Sequence, residues 1–392
     1  MSRRAAIAGA GIGGLAAGLA LARAGWAVEI HERAAGLEDV GAGIQLGPNG
    51  VWALRALGVA EAAAGHAAVP VAVEMRDGRT GRLAARVPLG ALAETRYAAP
   101  YWQMHRADLV GVLARAVETA GARLHFGSAI DPAAPPSADL VVAADGVRSG
   151  FRAAICPDAA PRFTGQVAWR MLIPADRAPA GLDPERTQLL MGPGGHAVLY
   201  PLRGGQVWNL VAARAQRQWA AEGWQHDADP EDVARAFAGW AAPMPDLIAA
   251  LDRVILWGLF AHGPLPRWSA GRSVLLGDAC HPMLPFMAQG AAMALEDAVT
   301  LAACLDDPSR PVPAALAAYE AARKPRTTRV QRVAAGNARL YHLRPAPVRR
   351  AVHLGMGAVS AMSAIGLLRR FDWLYGFDVG AKSSTGLPTP AP

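Results

Sequence analysis

The first thirty residues place short apolar runs and glycines in the order of a strand, a helix and a second strand. Residues 5–8 are all apolar, which predicts a strand, and residues 27–31 predict another that finishes at Glu32. Between them, the Ala- and Leu-rich stretch 15–24 predicts a helix that Gly25 ends. A strand–helix–strand unit of this length indicates a doubly wound sheet with a right-handed crossover.

The same kinds of pattern return further along the chain. β-branched and aromatic runs broken by Gly and Pro predict an antiparallel sheet over residues 166–211. From about Ala314 onward the chain is predicted to be helical. Further helices are predicted over 107–120 and about 290–305, and further strands over 123–126, 139–143 and 272–276.

The composition narrows the class of protein. A length of 392 residues predicts two to three domains, at about 150 residues each. With 52% hydrophobic and 18% charged residues, the chain is neither disordered nor a coiled coil. The net charge of +7 suggests nucleic-acid binding. However, nearly all the basic residues are scattered arginines, and no basic run is interleaved with aromatics, so we expect no nucleic-acid partner.

The cysteines and the apolar segments indicate the redox compartment of the protein and whether it inserts into a membrane. Cys156, Cys280 and Cys304 are too few and too scattered for a disulfide framework or a zinc site, which predicts a reduced, cytoplasmic protein without a metal. The N-terminus runs straight into a glycine motif rather than a secretion signal. Residues 351–368 are apolar but interrupted by His353 and by small polar residues. They predict a packed helix and no stable membrane insertion.

The glycine motif after the first strand predicts a dinucleotide site. Gly9 permits the tight turn, Gly11 lets a pyrophosphate approach the backbone, and Gly14 allows close packing of helix on strand. The N-terminus of the following helix offers N–H groups to the anion. Glu32 is placed to bind ribose hydroxyls. The motif indicates an adenine dinucleotide and does not distinguish FAD from NAD.

Two later strand ends carry related turns. One contains Asp145 in the sequence ADGVRS, and the other contains Asp278 in LGDA, followed by HP, QGAA and ED. With these motifs in this order, the chain resembles the class A flavoprotein aromatic hydroxylases, which have the p-hydroxybenzoate hydroxylase fold. Within that group it is similar to the salicylate, 3-hydroxybenzoate and 6-hydroxynicotinate hydroxylases. The resemblance covers nearly the whole chain, including the C-terminal segment FDWLYGFD.

The resemblance implies an α/β fold with a discontinuous Rossmann-type FAD domain. A mostly antiparallel β-sheet substrate domain is inserted into it, and a helical region follows. We predict the FAD domain at 1–68, 98–160 and 268–330, the substrate domain at 69–97 and 161–267, C-terminal helices at 331–380, and a tail at 381–392. The absence of a second dinucleotide fold suits an enzyme that NAD(P)H visits only transiently.

The resemblance also implies roles for individual cofactor residues. Glu32 would hold the adenosine ribose, Arg33 would lie near the adenine, and Asp278 would bind the ribityl chain. From the residues alone, the less favoured alternatives are a turn cap for Asp278 and a surface ion pair for Arg106. The remaining cofactor residues would be Arg106 beside FAD, Asp145 near both cofactors, Gln45, and Gly290 and Ala291 under the flavin ring.

The implied reaction is hydroxylation of an aromatic substrate with O2 and NAD(P)H through a flavin C4a-hydroperoxide. The substrate would be a phenolic or N-heteroaromatic ring, with or without a carboxylate, and a base should activate it. His196 is the candidate base. Tyr200 shares its strand face under period-2 alternation, so both could line one pocket. The alternative is a sheet histidine with satisfied hydrogen bonds. We interpret His281 as a structural member of the flavin loop.

Several positions differ from the family pattern and leave alternatives open. The 6-hydroxynicotinate enzymes carry histidines where this chain has Gln45 and Phe286, and Pro285 stands where the 3-hydroxybenzoate type has a pocket glutamine. The predicted pocket, with Pro285 and Phe286, is therefore less polar. A reductase or dehydrogenase on the same fold and a non-catalytic flavin-binding protein remain alternatives. A flavin halogenase is discounted because Met171 replaces a motif tryptophan. The chain is expected to be a monomer or homodimer.

Overall fold

The computed structural model describes residues 2–37, 42–219, 225–363, 365–382 and 388–390. The strands are β1 Arg4–Ala8, β2 Ala27–Glu32, β3 Gly43–Leu46, β4 Ala72–Asp77, β5 Leu83–Pro88, β6 Trp102–His105, β7 Arg123–Phe126, β8 Leu140–Ala143, β9 Arg162–Pro174, β10 Arg186–Gly192, β11 Gly195–Leu202, β12 Val207–Ala215, β13 Gln225–Ala228, β14 Val254–Ala261, β15 Ser269–Ala270, β16 Ser273–Leu275, β17 Phe377–Lys382 and β18 Pro388–Pro390. The helices are α1 Ile12–Arg23, α2 Pro48–Ala56, α3 Ala60–Ala64, α4 Gly90–Tyr97, α5 Arg106–Thr119, α6 Gly150–Ile155, α7 Pro230–Ala236, α8 Met244–Ala249, α9 Gly290–Cys304, α10 Val312–Tyr341, α11 Ala346–Met362 and α12 Asp372–Tyr375. Short 3-10 turns lie at Arg203–Gly205, Gly277–Ala279 and Leu368–Phe371.

A six-stranded sheet in the order β15-β16-β8-β1-β2-β7 contains the glycine turn. All its pairings are parallel except the one between β15 and β16. The central strands β1 and β8 are nearly continuous apolar runs because helices cover both faces, and every residue of β8 is buried. Helix α1 packs between this sheet and α9 and joins them in one core.

An eight-stranded sheet in the order β13-β14-β9-β12-β11-β10-β4-β5 forms the second layer. Its pairings are antiparallel except between β10 and β4. On one face, Trp169, Leu199 and Leu210 pack with side chains of α7 and α8 in a separate core. The opposite face carries Ala168 and Ala213, which pack against residues of the 283–287 loop and of α10.

The predicted α/β fold with two sheets and a helical C-terminal region is confirmed, with one difference of detail. Residues 377–382, predicted to be helical up to 380 and tail beyond, form β17, which packs on α2 and pairs with β18. The reason is local, since apolar Phe377 and Val379 alternate with polar Asp378 and Gly380, a period of two that suits a strand. The rest of the predicted tail, 383–387 and 391–392, lies outside the described residues.

The apolar segment predicted as a packed helix is α11, which begins and ends earlier than expected. It lies against β5, and Arg349 and His353 contact Asp77 with N–O distances of 3.0 and 3.2 Å. No helix in the described part of the chain combines the length and apolar character needed to cross a bilayer.

Candidate functional site

The glycine turn between β1 and α1 has the geometry that the sequence predicts. Gly9 has a φ of +100°, a backbone conformation that residues other than glycine rarely adopt. A Cβ on Gly14 would lie 1.8 Å from the carbonyl oxygen of Gly9, so no larger residue fits there. A Cβ on Gly9 would in turn lie 2.6 Å from the carbonyl oxygen of Ala144. The loop that carries Asp145 therefore packs directly on the glycine turn.

Glu32 lies at the end of β2 and ties this turn to the next loop. Its Oε2 accepts a hydrogen bond from the Ala10 N–H at 2.8 Å, and its Oε1 accepts one from the Ala34 N–H at 3.0 Å. Each oxygen keeps lone pairs for a further donor. A cleft of about 270 Å³ opens beside it, lined by Ala10, Gly11, Glu32, Arg33, Ala34, Gly36, Leu37, Arg106, Ala107 and Val110.

Basic side chains surround this cleft. Arg106 begins α5, is exposed, and has its Nη2 4.0 Å from the point where a Cβ on Gly11 would lie. Arg33 lies close enough to Arg148 for its charge, together with burial, to lower the pKa of Arg148. Asp145 accepts a hydrogen bond from the Gly150 N–H through Oδ2 at 3.0 Å, while its buried Oδ1 has no partner among the described residues. The cleft therefore offers both cations and free acceptors.

Asp278 lies in the turn at Gly277–Ala279, where β16 ends. Its side chain is solvent-accessible, although many protein atoms surround it. Desolvation there raises the pKa of Asp278, against the opposing influence of His281, Arg106 and Arg170. Gly290 begins α9, and a Cβ on Gly290 would lie 4.0 Å from Asp278 Oδ1. Ala291 is the next residue of the helix, so the N-terminus of α9 faces this carboxylate.

A buried ionic network supports the Asp278 turn from behind. Asp297 accepts hydrogen bonds from the Gly277 N–H at 3.1 Å and from Arg323 Nε at 2.7 Å, and its Oδ2 lies 2.6 Å from His281 Nε2. Burial opposes ionisation of Asp297, but His281 and Arg323 outweigh it and lower the pKa. Glu296 is bound by Arg323 and by Arg326. These contacts agree with the interpretation of His281 as a structural residue.

His196 and Tyr200 project from the same face of β11, and Val198 lies between them. His196 is buried against the Phe286 ring, with ring centroids 4.7 Å apart, and the Tyr341 ring is 5.3 Å away. Its Nδ1 lies 2.8 Å from Nε2 of His342. Tyr200 stands four residues along the strand, about 13 Å away. The two side chains therefore mark opposite ends of the face rather than one contact point.

The end of the face at Tyr200 lies against β3. A Cβ on Gly43 would lie 2.7 Å from the Tyr200 hydroxyl, so the missing side chain makes room for the tyrosine. Asn209, opposite Tyr200 on β12, accepts a hydrogen bond from the Gly43 N–H at 2.7 Å, and its Nδ2 is buried without a described partner. Gln45 Oε1 accepts a hydrogen bond from the Tyr101 hydroxyl at 3.2 Å. Gln45 is thus near the aromatic residues and does not line the cleft at Glu32.

The 283–287 loop covers the end of the face at His196. Phe286 is buried and Pro285 is half-buried. Helix α10 fixes this loop, since Gln331 Nε2 donates to the Pro282 carbonyl and Asn337 Nδ2 donates to the Phe286 carbonyl, both at 3.0 Å. The apolar lining predicted from Pro285 and Phe286 is therefore next to His196.

Three residues on or beside this face were not predicted from the sequence. Asn209 lies within a strand that was predicted without a role for its polar side chain. His342 is 146 residues from His196, and neither spacing nor periodicity signals the pair. Arg170 lies between core residues Trp169 and Met171, so period-2 alternation could have placed it on the opposite face.

The residues present fit FAD. The glycine turn admits a pyrophosphate because Gly11, which lines the cleft, carries no Cβ there, and the cleft at Glu32 has acceptors for ribose and cations for phosphate. The orphaned buried atom Asp145 Oδ1 offers a further acceptor. Arg106 connects the cleft with Asp278, because Arg106 lines the cleft and its positive charge lowers the pKa of Asp278.

Comparisons with known proteins agree with this geometry. Residues 136–334 match the family model described as an FAD binding domain. The chain is 37% identical to the 3-amino-4-hydroxybenzoate 2-monooxygenase of Streptomyces cremeus, over 99% of this chain and 98% of that protein. It is 34% identical to the 3-hydroxybenzoate 6-hydroxylase of Polaromonas naphthalenivorans, over 95% and 96% of the respective chains. A solved salicylate hydroxylase substrate complex superposes with a TM-score of 0.81 at 26% identity, over 99% of this chain and 98% of that one.

Proposed function

The chain belongs to the FAD-dependent aromatic monooxygenases, and from that membership we propose that it hydroxylates a phenolic or N-heteroaromatic ring with NAD(P)H and O2. The relatives that match over nearly the whole chain act on hydroxylated benzoates by name. A ring that already carries a hydroxyl group is electron-rich and reacts best when that hydroxyl is deprotonated. The site should therefore pair a redox cofactor with a base.

One observation carries the proposal. The polar face of the eight-stranded sheet lies next to the Asp278 turn, close enough that Asp278 and Arg106 act on the pKa of Arg170 in β9. Residues suited to hold FAD and residues suited to hold an aromatic substrate thus lie next to each other. A protein that only stores or senses flavin would need no such second set of polar groups.

We assign the chain's own residues as follows. Gly9, Gly11 and Gly14 admit the pyrophosphate, Glu32 and Arg33 hold the adenosine half, and Arg106, Asp145 and Asp278 hold the rest. Gly290 and Ala291 present the N-terminus of α9, whose partial positive charge favours an anionic ring edge. When bound, FAD supplies hydride acceptance from NAD(P)H and oxygen activation. Pro285, Phe286 and Gln45 bound the pocket that excludes water.

His196 is the proposed proton acceptor, and Tyr200 orients the ring from the other end of the pocket. Burial, followed by the nearby His342, lowers the pKa of His196 well below the usual value, so at pH 7 the imidazole is in the neutral form that a base requires. Its Nδ1 is the atom that contacts His342, and its Nε2 has no hydrogen-bond partner among the described residues. Burial raises the pKa of Tyr200, which therefore remains a hydroxyl donor.

The test uses the FAD-loaded protein with a panel of phenolic and N-heteroaromatic compounds. We expect a substrate to stimulate NAD(P)H oxidation with matched O2 uptake, and the product mass to rise by one oxygen atom. Labelled O2 should deliver its label to that product. Turnover that continues undiminished without oxygen would indicate a reductase instead. Bound FAD with no NAD(P)H oxidation for any aromatic would indicate a non-catalytic flavin protein.

A further inference from the structure

Arg170 is a cation on the pocket face of β9 that has no anionic partner. Its guanidinium carbon lies 4.6 Å from the centroid of the Trp257 ring. No carboxylate lies within 4.0 Å of it among the residues that the structure describes, and its Nε is enclosed without a hydrogen-bond partner. Arg170 is half-buried, and a guanidinium that is partly withdrawn from water is normally paired with an anion.

The strand register places Arg170 on the same face as His196 and Tyr200, two strands away from β11. Arg170 lies opposite Val211, and Val211 lies opposite Val198, the residue midway between His196 and Tyr200. Two strands span roughly 9.6 Å, a gap that the arginine side chain and a ring carboxylate directed towards β9 can bridge. The adjoining row carries Ala168 and Ala213, which pack against Phe286, so the 283–287 loop closes this face on one side of Arg170.

The charges around Arg170 leave a positive excess. The positive charge of Arg106 lowers the pKa of Arg170, and the negative charge of Asp278 raises it. Tyr200 is uncharged because burial raises its pKa. Arg152, whose charge also lowers the pKa of Asp278, donates to the carbonyl oxygens of Ala279 and Val147. The single carboxylate of Asp278 is thus shared among several arginines, and the pocket face can accept one more negative charge.

We propose that Arg170 is the anion-binding residue of the substrate pocket and that it selects aromatic substrates carrying a carboxylate. The planar guanidinium can donate two parallel N–H groups to a carboxylate, which fixes the plane of the ring as well as its position. Trp257 holds the guanidinium by stacking and so limits its orientation. The inference rests on the proposed function, since it names the substrate class of the same site.

The test compares binding of acids with binding of their counterparts that lack the carboxylate. The probes are 3-amino-4-hydroxybenzoate with 2-aminophenol, and 3-hydroxybenzoate with phenol. Dissociation constants are measured on the FAD-loaded protein by calorimetry and by the change in flavin absorbance. For at least one pair we expect the acid to bind roughly 10- to 100-fold more tightly, as for a hydrogen-bonded charge pair. Arg170→Met should abolish that preference, and Arg170→Lys should retain part of it.

The controls separate recognition from folding and from cofactor loss. Arg162→Met removes an exposed arginine from the same strand and should leave both constants unchanged. Arg170→Met should keep bound FAD and its affinity for the neutral probe. Equal weakening of acid and neutral probes, or loss of FAD alone, would overturn the inference. So would a wild-type protein that binds no acid more tightly than its neutral counterpart.

The same measurements distinguish this inference from the proposed function. Hydroxylation of neutral aromatics with no preference for acids would refute the role of Arg170 and leave the monooxygenase activity standing. Arg170-dependent binding of acids, with no oxygen incorporated into any product, would support the role of Arg170 and refute the monooxygenase activity.

Discussion

The Nδ1 atom of His196 lies 2.8 Å from the Nε2 atom of His342, within the buried end of the pocket. One ring must donate and the other accept, so the pair holds at least one imidazole in a fixed tautomer. Burial and then Arg344 lower the pKa of His342 to about 4. Both rings are therefore neutral in the folded protein at pH 7.

The neutral pair predicts a loss of stability in mild acid. In the unfolded chain the pKa of His342 returns to about 6.5, so the unfolded state binds a proton first as pH falls. The stabilisation is complete above pH 6.5 and is lost as pH falls towards 4. Between pH 7 and 5 we expect the wild-type free energy of unfolding to fall by on the order of 1–2 kcal/mol more than that of His342→Gln. Urea unfolding at both pH values, at one FAD concentration, measures this difference, and parallel losses in the two proteins would contradict it.

Removal of the proposed base should separate catalysis from cofactor binding. His196→Ala should slow hydroxylation by roughly 10²- to 10⁴-fold, because no other neutral imidazole projects from that row of the described sheet. FAD retention should not change, since His196 lies on the sheet and not in the cleft at Glu32. Stopped-flow and product yields with the best substrate measure the rate, and His66→Ala, an exposed histidine, is the matched control. An unchanged rate would remove His196 from this role.

The cofactor half of the site could be predicted because it is local in sequence. Gly9, Gly14 and Glu32 lie within one strand–helix–strand unit, and each is required by a backbone constraint or by its place at a strand end. The positions of Asp145 and Asp278 follow the same rule, since both occupy turns after parallel strands. Their contact with the first glycine turn depends on sheet order, which only the resemblance implied.

The substrate half could be predicted only in part because it is assembled from distant segments. Alternation placed His196 and Tyr200 on one face, but it could not show that they stand at opposite ends of the pocket. Arg170 and His342 were missed because neither belongs to a short motif, and their neighbours come from other strands and from α10. The domain boundaries and the individual site roles remain predictions.

Glu32 should determine FAD retention through two kinds of contact. Glu32→Ala removes the acceptor of the Ala10 and Ala34 N–H groups and the proposed ribose acceptor together. We expect FAD affinity to fall by roughly 10- to 100-fold, as for loss of charge-assisted hydrogen bonds. Fluorescence of released FAD on gel filtration and titration of the apoprotein measure the change. Glu29→Gln, an exposed carboxylate on the same strand, should retain FAD normally, and normal retention by Glu32→Ala would contradict the assignment.

The buried network behind Asp278 couples fold stability to cofactor binding. Arg323 binds Glu296 and Asp297 at 2.6 and 2.7 Å, and all three side chains are almost completely buried. In Arg323→Met, Arg326 still neutralises Glu296, but Asp297 is left with His281 alone, so an uncompensated buried charge should cost about 3–5 kcal/mol. Because Asp297 also holds the Gly277 N–H, the Asp278 turn should loosen and FAD affinity should fall with stability. Urea unfolding and FAD titration measure the two effects, and Arg332→Met, exposed on the same helix, is the control. A destabilised variant that binds FAD as tightly as wild type would show that the network supports the fold without positioning the turn.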